Sequence, residues 1–219
     1  MDYYLNMPYI NNGSDGRIYG HNNIIVKKII NNSEQCDEVK LIQWLTKNKE
    51  YASMIPNVFW CGTIEDIPVI IREDTYDIIQ KDGIIDNDTM YNINMALNNI
   101  WYYCKQYYLE QKNIDILNNS EEMILQLGVE HYITINMIEE MIKTYDFFYK
   151  NNIVIRDMDM KNLGLTQEGK MIFRDVGRFK ILDNSPVHEE KIIDITYEQG
   201  LELIEETTEP LLKSSFSLG

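Results

Sequence analysis

An α+β fold is predicted, with an antiparallel sheet of five strands in residues 1–76 and a mainly helical part in residues 77–219. Three observations carry this. Between Tyr9 and Glu73, short β-branched runs alternate with glycine and acidic turns, interrupted by one amphipathic stretch. Between Asp86 and Lys150 the apolar residues recur every three or four positions. After Asn152, two apolar runs close in turn on a carboxylate, with turn residues between them.

Residues Tyr9 to Ile30 read as strand, glycine turn, strand, strand. Glycines in Gly13-Ser14-Asp15-Gly16 let a backbone approach phosphates closely and present N–H groups to them; an ordinary hairpin turn has the same composition. In the strand Ile24–Ile30, period two sets Ile25, Lys27 and Ile29 on one face. A lysine between two isoleucines on a half-buried face needs a partner, because an unpaired buried ammonium is costly. Lys28, on the other face, suits solvent better.

Ser33 is a candidate N-cap, and Glu34 and Asp37 place negative charge in the first helical turn. Glu38, Leu41, Ile42 and Leu45 then fall at i, i+3, i+4 and i+7, so Glu38 sits on the apolar stripe. It either reaches Lys27 or lies at the stripe's edge in solvent. Residues 56–62 and 68–73 are two further strands around the acidic turn Glu65-Asp66, and Arg72 has acids near it to pair with.

From Asp86 to Gln111, Met90, Ile93, Leu97, Ile100, Trp101 and Cys104 mark one helical face. The tyrosines and tryptophan at 101–103 and 107–108 suit core packing better than a binding surface. Asn118-Asn119-Ser120 reads as the cap of a shorter helix over 121–127, ended by Gly128. Residues 134–150 carry the most continuous stripe, and Asn151-Asn152 stop it. The runs Val154–Leu165 and Met171–Gly177, with Gln167, Glu168 and Gly169 between them, predict a hairpin that brings Asp157, Asn162 and Asp175 near one another.

At 219 residues and 44 % hydrophobic content the chain can bury a substantial core. A formal charge of −15 argues against a nucleic-acid backbone or an anionic membrane as direct partner. It suits solubility, a basic protein partner, or mimicry of a nucleic acid. Three widely spaced cysteines and no leader-like start predict reduced thiols and a cytoplasmic protein. The three histidines have no metal-site spacing.

The segment I-R-D-M-D-M-K-N (155–162) followed by D-V-G (175–177) resembles the catalytic-loop and metal-binding motifs of the protein-kinase superfamily. The preceding helix, its two polar residues and the apolar pair before Arg156-Asp157 resemble the same family's approach to that loop. The elements also stand in kinase order: glycine loop, Lys27, Glu38, a hinge at 73–77, long helix, catalytic loop. The chain's brevity is similar to the compact bacterial and phage kinase-like proteins of the YrbL family.

That resemblance implies a two-lobed kinase-like fold, an N-lobe over 1–76 and a reduced C-lobe over 77–219, with ATP and Mg2+ as cofactors. It implies Asp157 as the base that takes a hydroxyl proton, and Asn162 and Asp175 as metal ligands. Lys27, held by Glu38, would clamp the α- and β-phosphates, Gly13, Ser14, Asp15 and Gly16 would cover the phosphates, and Glu73 would open the hinge that meets the adenine. Departures accompany it. Asn11 stands for the first loop glycine, Ile25 for a small residue above the adenine, and Ile155 for the usual His. Asp159 stands where a phosphate-neutralising Lys is expected, a role Lys161 could take. No A-P-E follows Gly177. Two functions are therefore implied: an ATP- and Mg2+-dependent phosphotransferase acting on protein, on itself or on a small molecule, and a kinase-like module without turnover that uses its acidic surface to bind protein.

Overall fold

The computed structural model describes residues 3–12, 16–21, 23–30, 35–48, 51–75, 85–157, 160–165 and 171–215. Its strands are β1 (Tyr3–Tyr4), β2 (Met7–Asn12), β3 (Gly16–His21), β4 (Ile24–Ile29), β5 (Val58–Ile64), β6 (Ile67–Glu73), β7 (Ile153–Val154), β8 (Leu163–Leu165), β9 (Met171–Phe173), β10 (Lys180–Ile181) and β11 (Asp194–Ile195). Its α-helices are α1 (Gln35–Lys47), α2 (Asn87–Tyr108), α3 (Ile116–Leu127), α4 (Ile135–Lys150) and α5 (Tyr197–Ser215). The fold is α+β. Described residues of Met1–Thr75 and Val187–Gly219 form one compact unit, and those of Tyr76–Pro186 a second.

The first unit is built on one seven-stranded sheet in the order β1-β2-β3-β4-β6-β5-β11. The five central strands are antiparallel, as their alternation predicts. Two edge strands were not foreseen. β1 folds back on β2 through Leu5 and Asn6, both at positive φ (49° and 59°), and β11 pairs in parallel with β5. The sheet is therefore mixed and not purely antiparallel. Glu65 and Asp66, at φ 51° and 64°, make the tight β5–β6 turn that a two-residue hairpin connection requires.

Period two separates the two faces of the sheet. Val26, Ile24, Val69, Ile71 and Ile64 join Tyr4, Leu5 and Ile204 in a core on one face, which α5 helps to cover. On the other, α1 packs against β5 and β6 through its buried Val39, Leu41, Ile42 and Leu45. The division at 76/77 assigned all later residues to the helical part; residues 187–215 instead group with the N-terminal sheet. The physical reason is the strand ladder: Thr63 N–H donates to Ile193 C=O (2.8 Å) and Glu65 N–H to Ile195 C=O (3.0 Å).

The second unit packs α2 against α3 and α4, with Ile93, Leu97 and Ile100 wholly buried. Asp86 caps α2 by accepting from Asp88 and Thr89 N–H, and Thr134 caps α4 by accepting from Met137 N–H. α3 starts earlier than its polar triplet suggested: Asp115 accepts from Asn118 N–H, and Ser120 is buried mid-helix, donating to Ile116 C=O (2.6 Å). Gly128, at φ 66°, ends α3 in the left-handed conformation that glycine takes without strain. Trp101 lies buried against Tyr145 and Phe173, and Tyr108 stacks on Tyr145, whereas Tyr102 and Tyr107 are exposed.

Candidate functional site

The chemistry-bearing residues fall in two places, one in each unit. In the first unit, Lys27 stands on β4, between Ile18 of β3 and Ile70 of β6, and so in the middle of the sheet. Its neighbours at 24–26 are buried, and Lys27 itself is buried on the face away from the Val26 core. Glu38, in the first turn of α1, meets it there. Nζ donates to Oε1 at 2.8 Å and to Oε2 at 3.0 Å, with only 9 % and 5 % of the two side chains exposed. Of the two positions open to a glutamate on the stripe, Glu38 takes the one that reaches Lys27. Lys28, on the opposite face, places its ammonium 4.4 Å from the Tyr4 ring centroid, a cation–π contact.

Two-point contact in a dry site couples these two charges strongly. Taking both charges out of water costs several kcal/mol per ion, and the mutual attraction roughly repays it. Such a pair adds little net stability. What it does supply is a cation fixed in position.

In the second unit, β8 and β9 form the predicted hairpin, Leu163 opposite Phe173. The backbone brings the polar residues of its base together. Asn162 Nδ2 donates to the carbonyl of Asp157, and Arg174 N–H donates to the carbonyl of Asn162 (2.7 Å). Asp175 Oδ1 accepts from Gly177 N–H at 2.9 Å. Asp157 is exposed and held at φ 57°, a left-handed conformation that few non-glycine residues adopt and that recurs at functional turns. With its amide nitrogen committed to Asp157, Asn162 has an amide oxygen as its metal-type donor. Lys161 is exposed on the same turn.

An aromatic base supports this hairpin. Phe173 and Phe179 lie edge-to-face with Phe148 of α4, at centroid separations of 5.9 and 5.1 Å, and Val176 is buried beside Asp175. Asn152, at φ 57°, turns the chain out of α4, and its carbonyl accepts from Leu182 N–H (2.9 Å). Nothing in the spacing of these residues announced the backbone bonds that join Asp157, Asn162 and Arg174.

Other expected site residues fare differently. Gly13, Ser14 and Asp15 lie outside the described residues. Gly16 belongs to β3, where an added Cβ would stand 2.4 Å from the Lys28 carbonyl oxygen, so the close β3–β4 approach already demands glycine there. Glu73 ends β6, and the N–H groups of 73–75, the described part of the expected hinge, are engaged within the chain. Glu73 N–H donates to Asn57 C=O, Asp74 N–H to Asn23 C=O, and Thr75 N–H to Asp74 Oδ1. The Glu73 carbonyl accepts from Arg72 Nη1 (2.9 Å), so the partner of this buried arginine includes a backbone oxygen. The remaining hinge positions, 76 and 77, are outside the described residues.

Among the described residues no three His, Cys, Asp or Glu side chains gather as a metal site, and no helix is long and apolar enough to cross a membrane. Cys61 and Cys104 are free and buried, and burial pushes both thiols up to about 12. A buried thiol held protonated in this way is a poor nucleophile. Comparison of the chain with protein-family models and with curated proteins found no match.

Proposed function

We propose that this protein is a Mg2+- and ATP-dependent phosphotransferase with a two-lobed kinase-like organisation. The observation that carries the reading is the buried, two-point Lys27–Glu38 pair. It immobilises an ammonium at a cost that folding does not require, and a fixed cation is what a nucleotide's α- and β-phosphates need.

The base of the β8–β9 hairpin has the chemistry for the complementary task. Mg2+ prefers oxygen donors and is commonly held by one or two carboxylates together with water and substrate phosphates, so a full cage of protein ligands is unnecessary. The Asp175 carboxylate and Asn162 amide oxygen fit that donor set and would hold the ion. When bound, Mg2+ neutralises charge on the phosphates. Asp157, exposed and fixed by Asn162, would accept the proton of the attacking hydroxyl. Lys161 would supply positive charge close to that carboxylate.

A second reading, a binding module without turnover, is favoured by one observation. The N–H groups of residues 73–75 already have partners in the chain, which removes them as adenine contacts.

Thermal unfolding with Mg-ATP, against Mg2+ alone, separates the two. At about 100 times Kd, ligand adds about 2.7 kcal/mol, or roughly 5–10 °C for a chain of this length. The phosphotransferase reading requires that shift and its loss in Asp175→Asn, which keeps an acceptor for Gly177 N–H but removes the charge. No shift in the native protein rejects it in favour of the binding module.

A further inference from the structure

A groove of about 400 Å3 runs between the C-terminal half of α3 and the start of α4, within the roughly 300–1,000 Å3 range of ligand sites. Its floor is Ile124, Ile133 and Ile138, all nearly wholly buried, and its walls are Leu125 and Ile135. Those two walls are 66 % and 52 % exposed, so large aliphatic side chains on facing helices stand in solvent. The polar lining is Thr134, Asn136 and the carboxylates Glu121 and Glu130; it contains no basic side chain.

We propose that this groove docks a basic, amphipathic helical segment of a partner protein. The apolar floor takes aliphatic side chains spaced i, i+3, i+4, which is how a helix is read by a groove between two helices. The acidic rim selects the sign of the partner's flanking charges, and a net charge of −15 attracts the same partner over longer range. An acidic or purely apolar partner would leave Glu121 and Glu130 beside a surface that offers them no cation. The inference is independent of phosphate transfer, because none of these residues belongs to the Lys27–Glu38 pair or the hairpin base.

The test uses the full chain and two fluorescein-labelled helical peptides with the same leucine pattern, one with lysine and one with glutamate at every other position, read by anisotropy. The lysine peptide binds and the glutamate peptide does not. Leu125→Asn weakens the lysine peptide at least about tenfold. Glu121→Gln with Glu130→Gln weakens it by several-fold and flattens the salt dependence. The exposed α5 pair Glu202→Gln with Glu205→Gln lowers the net negative charge equally and serves as the charge control, weakening binding less than the rim pair does. Leu125 is exposed, so its substitution leaves the fold intact, and circular dichroism verifies this. Equal binding of both peptides, or an undiminished lysine complex in Leu125→Asn, overturns the proposal. So does a concentration-dependent dimer of the chain alone that Leu125→Asn abolishes, which would assign the groove to a second copy.

Discussion

Replacing Glu38 by Leu leaves the Lys27 ammonium in a site where 9 % of its side chain sees solvent, on a strand hydrogen-bonded on both sides. Breaking one member of a buried pair costs about 3–5 kcal/mol, because the remaining charge keeps its desolvation cost and loses this two-point contact. Lys27→Met takes this contact from the Glu38 carboxylate, 5 % exposed, with a cost of the same size. The double variant, Lys27→Met with Glu38→Leu, replaces the pair with apolar volume and returns to within about 1 kcal/mol of the native protein, or above it. Urea unfolding reads this directly. With a slope of about 2 kcal/mol/M, a loss of about 4 kcal/mol moves the midpoint down by about 2 M. Trp44 and Trp60 report on the first unit and Trp101 on the second, so far-UV dichroism and fluorescence together assign the transition. The double variant should fold well yet show no Mg-ATP stabilisation, which separates the pair's service to a ligand from its service to the fold. Single variants costing under about 1 kcal/mol would refute the reasoning, since the pair would then be solvated and its cation not fixed.

Three further outcomes follow from the same geometry. Gly62→Ala places a Cβ 2.4 Å from the Ile193 carbonyl oxygen and 2.7 Å from the Trp60 ring, so it should destabilise the β5–β11 pairing by about 1–3 kcal/mol, seen as faster hydrogen exchange at Thr63 and Glu65 N–H. Cys61 and Cys104 should resist a brief maleimide pulse at pH 8 and react only on unfolding, because burial holds both thiols protonated at about 12; rapid native labelling, mapped by mass spectrometry, would contradict this. Asp194 is held below the usual carboxylate range, first by the Thr63 hydroxyl at 2.7 Å and then by Asp66 N–H. Its contribution is therefore present above the unfolded carboxylate pKa of about 3.9 and lost as pH falls through the lower folded value. Protection of the β5–β11 junction, taken relative to the intrinsic exchange rate at each pH, should fall below about pH 4 in the native protein, and Asp194→Asn should remove that pH dependence.

Local periodicity made much of this legible. Ile25-Val26-Lys27-Lys28-Ile29 assigns one lysine to each face, and the spacing of Glu38 with Leu41, Ile42 and Leu45 points its carboxylate at the sheet; both are short-range facts that tertiary packing preserved. The β8–β9 hairpin was equally readable, because two apolar runs flank turn residues. The two edge strands were not. β11 is two residues long, and its partner strand β5 lies far away in the chain, so no local pattern encodes the pairing. α5 carries Gly200 and Pro210, both poor helix formers, and its length was hidden by them. Gly200 has a packing reason: an added Cβ would meet Ile64 Cδ1 at 2.9 Å and Leu5 Cδ2 at 3.1 Å, so the helix lies close over the core. The bond from Asn162 Nδ2 to the Asp157 carbonyl depends on a left-handed residue at 157, which a non-glycine sequence does not advertise.

Formation of ADP from Mg-ATP, followed by a coupled assay with the native protein and Asp157→Asn side by side, tests the central claim most directly. Turnover in the native chain, reduced about 10²–10⁴-fold in Asp157→Asn while the Mg-ATP thermal shift persists, is the predicted result. Equal ADP formation by the two proteins, or none by either, would contradict it.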